Sequence, residues 1–190
     1  MRRVVTIIIP VILIILFGPR AIKSIFTDSE LTITATATPV FTPTITPTAT
    51  PFPEVAGISL VSLEADLISR INAERTAAGL PALGVDGNLV AIARIRSSDM
   101  ADRGYFSHTS PDGQSAFTLL DQWGIPYAWA GENLSRNNYP LAGTTAVAIE
   151  DLMASPPHRV NILNSNYVRI GVGYSEDGTG MHYYTIIFVG

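Results

Sequence analysis

The stretch YVRIGVGYSEDGTGMHYYTIIFV, Tyr167–Val189, decides the fold class. Two runs rich in β-branched and aromatic residues flank SEDGTG, whose Asp-Gly pair is a turn former, so the segment reads as a β-hairpin. Upstream, Trp129–Leu134 is a third strand candidate. Everything else with a periodic pattern is helical. In SLVSLEADLISRINAERTAAG, residues Leu60, Leu63, Leu67, Ile68 and Ile71 recur at helical spacing before a stop at Gly79. Asp86 is placed to cap GNLVAIARIRSSDMADRG, in which Leu89, Ile92, Ala93 and Met100 share a face and Gly104 closes the run. Shorter helices fit Ser115–Trp123 and GTTAVAIEDLMAS. Helices first and strands late predict an α+β domain, an antiparallel sheet covered by helices.

Between the last of these helices and the hairpin lies SPPHRVNIL, Ser155–Leu163. Proline is pre-organised for the first turn of a helix and Ser155 is a natural N-cap, so His158 is expected in that turn, where the helix dipole disfavours imidazolium. A neutral imidazole is a metal ligand, a base or a packed hydrogen-bond partner.

The N-terminus has another character. Two arginines precede an apolar run from Val4 to Phe17, which reads as an export element within residues 1–26. Fourteen residues suit the core of a cleaved signal peptide, but Gly18 and Pro19 extend the run, Arg20 can snorkel and no small-x-small cleavage site follows. An uncleaved hydrophobic anchor helix is the favoured reading, a cleaved signal peptide the alternative. Residues 27–58 follow, rich in threonine and proline, with Pro39, Pro43, Pro47 and Pro51 spaced by four. Such a segment buries too little apolar surface to repay its ordering and reads as a disordered stalk that could span roughly 80 Å. Residues 59–190 form the single folded domain.

That domain carries eight arginines, thirteen acids and no lysine, a net charge of −5. A basic stripe for nucleic acid is absent, and a Schiff-base lysine is excluded. With no cysteine anywhere in the chain, disulfides, thiolate nucleophiles and cysteine-ligated zinc are excluded too, which points to a bacterial exported protein.

Three histidines, His108, His158 and His182, are the first candidates for chemistry, and each by itself reads as structural. The separations between His108, Glu132 and His158 match no local metal-ligand spacing. Glu132, in YAWAGENL, stands among apolar and aromatic residues, so its carboxylate must be exposed, protonated or partnered. Asn133 reads as a turn-fixing amide, and Asn72, Glu74 and Arg75 as polar anchors of the first helix. No phosphate loop, GxSxG elbow or HExxH helix is present, and Ser155 lacks the neighbours of a nucleophile.

Taken together, LISRINAERTAAGLPAL, AIARIRSSDMADRGYFSHTSPDG, AGENL, SPPHRVNIL and YVRIGVGY, in this order, resemble the CAP superfamily, and in particular its cysteine-free bacterial branch. This superfamily comprises the cysteine-rich secretory proteins, antigen 5 and plant pathogenesis-related proteins, and its domain is also called SCP. The likeness covers about residues 62–190. It implies a secreted three-layer α-β-α sandwich with a cleft lined by two histidines and acidic residues, which in some members binds a divalent metal such as zinc. Carried over by motif, the cleft residues are His108, Glu132 and His158, with Ser155 where animal members place a second glutamate. Leu152 stands in place of a frequent tryptophan, and Ile186 in place of a common glutamine, which would make that end of the cleft more apolar.

The favoured function is therefore a non-enzymatic, extracellular module, anchored to the membrane or secreted, that offers this cleft to a lipid or cell-wall component. The alternative is a metal-dependent hydrolase in which His108, Glu132 and His158 hold the ion, or Glu132 serves as general base toward its bound water. A third reading makes the three residues a structural cluster. Arg2 and Arg3 ahead of the apolar run predict a cytoplasmic N-terminus and an external domain. Protease added to intact cells should release a fragment beginning between about residues 27 and 58; protection until the membrane is permeabilised would reverse the orientation.

Overall fold

The sequence of strand β4, His182–Val189, is apolar on both faces, and the structure buries all eight of its residues. A strand of that kind belongs in the middle of a covered sheet. In the computed structural model, which describes residues 61–190, β4 pairs antiparallel with β3 (Arg169–Glu176) on one side and with β2 (Ala130–Asn137) on the other. The hairpin and the third strand stand as expected, β2 running three residues beyond Leu134. The sheet is not wholly antiparallel, however: a two-residue strand, β1 (Gly84–Val85), adds in parallel to β3, giving the order β1-β3-β4-β2. Two residues carry too little periodicity to be read from sequence, and their pairing depends on Asp86, the next residue.

Asp86 works on both sides of that junction. One carboxylate oxygen accepts from the backbone N–H groups of Asn88 and Leu89 at 2.9 and 3.4 Å, capping α2 (Gly87–Arg103), while the other receives Arg169 of β3 at 2.6 Å. Helix α2 ends at Gly104, whose φ of 67° is left-handed. It lies so close to the sheet that a Cβ on Gly171 or Gly173 would overlap its backbone at Leu89–Val90 or Ala93–Arg94. This is the physical reason for the GVG of β3. Ser97 secures the same contact, donating to the Gly173 carbonyl at 2.9 Å.

Two helical layers cover the sheet. On one face, α2 and α3 (Ala116–Gln122) bury Leu89, Ile92, Ala93, Leu119 and Leu120 against Ile187 and Val189. On the other, α1 (Ser62–Ala77), α4 (Thr144–Ala154) and α5 (Pro156–Ile162) bury Leu67, Ile71, Ile149, Leu152 and Ile162 against Val172, Tyr184, Ile186 and Phe188. The three-layer α-β-α sandwich follows from this alternation of β4 side chains. Leu152 and Ile186 belong to the second core, so Ile186 packs between sheet and helices rather than making one end of the cleft apolar. Among the described residues no helix is long and apolar enough to cross a membrane; the N-terminal apolar run and the Thr/Pro segment lie outside them.

One side chain joins α1 to the distal end of α5. Arg75 is fully buried and donates to the carbonyls of Pro81, Ile162, Asn164 and Tyr167, at 3.0, 2.8, 2.8 and 3.4 Å. Asn72 adds a reciprocal pair with the Leu83 backbone, so two of the three polar residues read as anchors do anchor; Glu74 makes no such bond to the described residues. Removing the guanidinium takes the donor from four carbonyls, those of Ile162 and Tyr167 in buried bonds, so Arg75→Ala should destabilise the fold by about 3 kcal/mol or more, and Arg75→Lys, which cannot reach four acceptors in a plane, by a large part of that. Urea unfolding midpoints of the variants measure it.

Candidate functional site

Strand β2 ends the sheet, and its residues alternate between the two helical layers. Glu132 points to the α2 side, where its carboxylate is 2% exposed. Buried this deeply, it needs partners on both oxygens. One meets His108 Nδ1 at 2.6 Å; the other faces the Arg96 Nε at 3.5 Å, at the long limit of a hydrogen bond. The imidazole of His108, by contrast, is nearly half exposed. A buried carboxylate thus orients an accessible imidazole through Nδ1, leaving Nε2 as the outward ring nitrogen, the arrangement by which acidic side chains fix functional histidines.

The loop that carries His108 is held by the same arginine. Arg96, 1% exposed, donates to the Tyr105 hydroxyl at 2.9 Å and to the Ser107 carbonyl at 2.7 Å. Tyr105 in turn bonds to Asp99, which with Asp112 receives Arg103, while Ser110 bonds to Asp112. Sequence reasoning passed over Arg96 because an arginine in a helix face reads as solvated; the only available signal was its position on the apolar face of α2, four residues after Ile92.

In the other helical layer, Ser155 ends α4 and begins α5, and His158 lies in the first turn of α5, where the sequence put it. The Ser155 hydroxyl, however, makes no capping bond, and no hydrogen bond joins it to His108, Glu132 or His158. The start of α5 is fixed from β2 instead. Asn133 Nδ2 donates to the His158 carbonyl at 3.0 Å, and Asn161 Nδ2 donates to Asn133 Oδ1 at 2.8 Å and to the Glu132 carbonyl at 3.4 Å. Asn133 therefore fastens a helix, rather than a turn, to the strand. Partial burial first, and the nearby His108 second, hold the His158 pKa below the ordinary imidazole value of 6.5. His158 is thus biased toward the neutral form, as expected, but mainly by desolvation rather than by the helix end.

His108 and Glu132 are thus joined directly, and His158 lies near enough to His108 to feel its charge, while His182 stands apart, in the sheet. Its Nδ1 meets the Tyr174 hydroxyl at 2.9 Å and its Nε2 the Tyr139 carbonyl at 2.9 Å, a structural arrangement. Zinc sites use three or four protein ligands. Among the described residues no group of three or more His, Asp or Glu side chains converges closely enough to hold an ion, and both oxygens of Glu132 are already engaged. The donor set does not fit a closed metal site. Beside α5 an open groove of about 450 Å³ is lined by Arg159, Val160, Leu163, Asn164 and Ser165; it adjoins the helix that carries His158 but includes none of the cleft residues.

Comparison with known proteins follows the same lines. The model of the cysteine-rich secretory protein family, CAP, matches residues 68–189. Protein YkwD of Bacillus subtilis (strain 168) is 40% identical over 121 residues, 64% of this chain and 46% of its own length. The membrane protein YlbC of the same organism is 32% identical over 126 residues, 66% of this chain and 34% of its own. This chain thus spans less than half the length of either relative. Among solved structures, an extracellular protein containing an SCP domain from Bacillus anthracis str. Ames superposes with a TM-score of 0.59 at 25% identity, over 70% of this chain and 45% of that one. An outer surface protein of Borrelia burgdorferi superposes with a TM-score of 0.62 at 17% identity, over 70% and 95%, a likeness of fold alone.

The lowered pKa of His158 has a defined sign in stability. The unfolded chain binds this proton more readily than the folded one, so folding is opposed as pH falls below about 6.5 and unaffected by this group well above it. Melting temperatures measured from pH 7.5 down to pH 5 should fall more steeply for the native chain than for His158→Gln; parallel curves would contradict the burial.

Proposed function

This chain belongs to the cysteine-rich secretory protein family, and from that premise we propose that it is a non-enzymatic extracellular module that offers the cleft between His108 and His158 to a ligand at the cell surface. The observation that carries this reading is the engagement of Glu132. A general base needs an oxygen free to take a proton from water or substrate. Here one oxygen is committed to His108 and the other faces a buried guanidinium, so the carboxylate orients rather than reacts. Among the described residues no hydroxyl bonds to His108 or to the His158 side chain, so they assemble no serine-type nucleophile and base. An outward imidazole set by a buried carboxylate is a rigid hydrogen-bonding group, suited to reading a ligand.

Extracellular placement is supported by the SCP-domain protein of Bacillus anthracis, described as extracellular, and a membrane association by YlbC, described as a membrane protein. The basic and apolar N-terminus is consistent with either an anchor or a cleaved export signal.

The rival is a metal-dependent hydrolase at the same cleft, and one set of measurements separates the two. The purified chain, untagged, is screened on peptide, ester and glycan libraries and analysed for bound metal, beside Glu132→Ala, His108→Ala and His158→Ala. We expect no turnover that Glu132→Ala abolishes and no metal that depends on both histidines. Robust turnover lost with Glu132, or stoichiometric zinc lost on replacing either histidine, would install the hydrolase in its place.

A further inference from the structure

Strand β2 lies between the His108 side, which Glu132 faces, and the His158 side, to which Asn133 is bonded. Because β2 is the last strand of the sheet, it pairs on one side only. Trp129 and Gly190 exchange both backbone hydrogen bonds, at 2.9 and 2.8 Å, which sets the alternation along the ladder. From the register, Gly131, Asn133, Ser135 and Asn137 bond to β4, and Ala130, Glu132, Leu134 and Arg136 turn their N–H and C=O groups away from it. Among the described residues no backbone group pairs with these, and the one contact is Asn161 Nδ2 to the Glu132 carbonyl at 3.4 Å. Unpaired backbone polar groups are not left dry in a folded protein, so those of Leu134 and Arg136 call for a partner from solvent or a ligand.

The walls are placed for an extended chain. Glu132, Leu134 and Arg136 face the α2 side, with Arg96, Met100 and Phe106; Asn133 and Asn137 face α5 and α4. A strand laid on the edge would direct alternate side chains toward the His108 wall and the His158 wall. Exposed strand edges are commonly blunted by a charged side chain lying across them. Arg136 is drawn aside from that role: its guanidinium sits over the Phe106 ring, 4.9 Å from the centroid, and against the Tyr183 hydroxyl of β4. There it is a cation within reach of a cross-strand neighbour.

We propose that the edge of β2 from Glu132 to Arg136 is a strand-addition site, which takes an extended peptide segment as a fifth strand with an acidic side chain opposite Arg136. Main-chain hydrogen bonds would supply affinity, and the alternating walls specificity. Where composition left a lipid or a wall component open, a row of backbone donors and acceptors favours a polypeptide. The proposal rests on the cleft being the ligand site and names its ligand class.

The test has two parts. In the free chain, amide hydrogen exchange followed by NMR should be at least about a hundredfold faster at Leu134 and Arg136 than at Asn133 and Ser135. An acetylated, amidated octapeptide alternating valine and glutamate should then bind saturably and slow exchange at those two amides. Its fully N-methylated form should bind at least about tenfold more weakly. Arg136→Gln should weaken the glutamate peptide but not a valine–glutamine counterpart, whereas Arg136→Pro, which removes an outward N–H, should weaken both. Equal protection of all four amides in the free chain, no saturable binding, or indifference to N-methylation would overturn the site. Concentration-dependent protection of Leu134 and Arg136 without peptide would overturn it in favour of a second copy of the chain pairing edge to edge. Cleavage of the bound peptide would instead overturn the non-enzymatic reading and leave the edge site standing.

Discussion

The placement of α5 depends on a buried cation with no buried anion. Arg75 leaves water entirely, and its charge is met by four backbone carbonyls rather than by a carboxylate. Desolvating a guanidinium is costly, and carbonyl dipoles repay it only if several converge in the plane of its donors. Three of the four belong to the end of α5 and the segment leading into β3, so the charge can be satisfied only when that segment has taken its native course. The position of α5, and with it His158, is in this way tied to α1 across 87 residues of sequence.

The other wall uses the same device with a different second partner. Arg96 binds the Ser107 carbonyl and the Tyr105 hydroxyl, which place the loop bearing His108, and it faces Glu132, which orients the imidazole. Two interior arginines, one in each helical layer, thus set the two histidines. The difference between their surroundings has a chemical consequence. His108 is paired to a carboxylate and accessible; His158 is half buried, has only its backbone bonded to β2, and is biased toward neutrality. The two walls therefore present unlike hydrogen-bonding groups to anything between them.

Most of the fold was legible because its signals are local. Helix boundaries at Asp86, Gly104 and Ser115 follow from capping chemistry that involves neighbouring residues, and β4 announces its central place by being apolar on both faces. The resemblance to CAP proteins put His108 and Glu132 in one group, which no spacing could, but their direct bond came only with the structure. What stayed hidden was long-range. The parallel strand β1 is too short for a pattern, and the role of Asn133 depends on Asn161, 28 residues away. Arg96 was invisible because burial of a charge cannot be read without its partners, and Ser155, chosen for its capping propensity, yields to an α5 start that is fastened through Asn133 instead.

The absence of cysteine gives these polar contacts added weight. Many domains with long loops rely on disulfides to offset the entropy of those loops. Here the loops are closed by side chains that donate to or accept from the backbone: Arg75 and Asn72 around the end of α1, Arg96 at the His108 loop, and Asn161 between α5 and β2. Glu64 does the same at the start of α1, fully buried, accepting from the backbone of Val61 and Tyr174 and from Arg94 at 2.7 Å. Each such contact satisfies groups that would otherwise be stranded, so each loop order is enforced by the cost of breaking it rather than by a covalent link. Fasteners of this kind are indifferent to redox conditions but need their partners dry. That requirement explains why Glu132, Arg96 and Asn133 are also among the most buried polar residues, while the His108 imidazole that they help to place stays accessible.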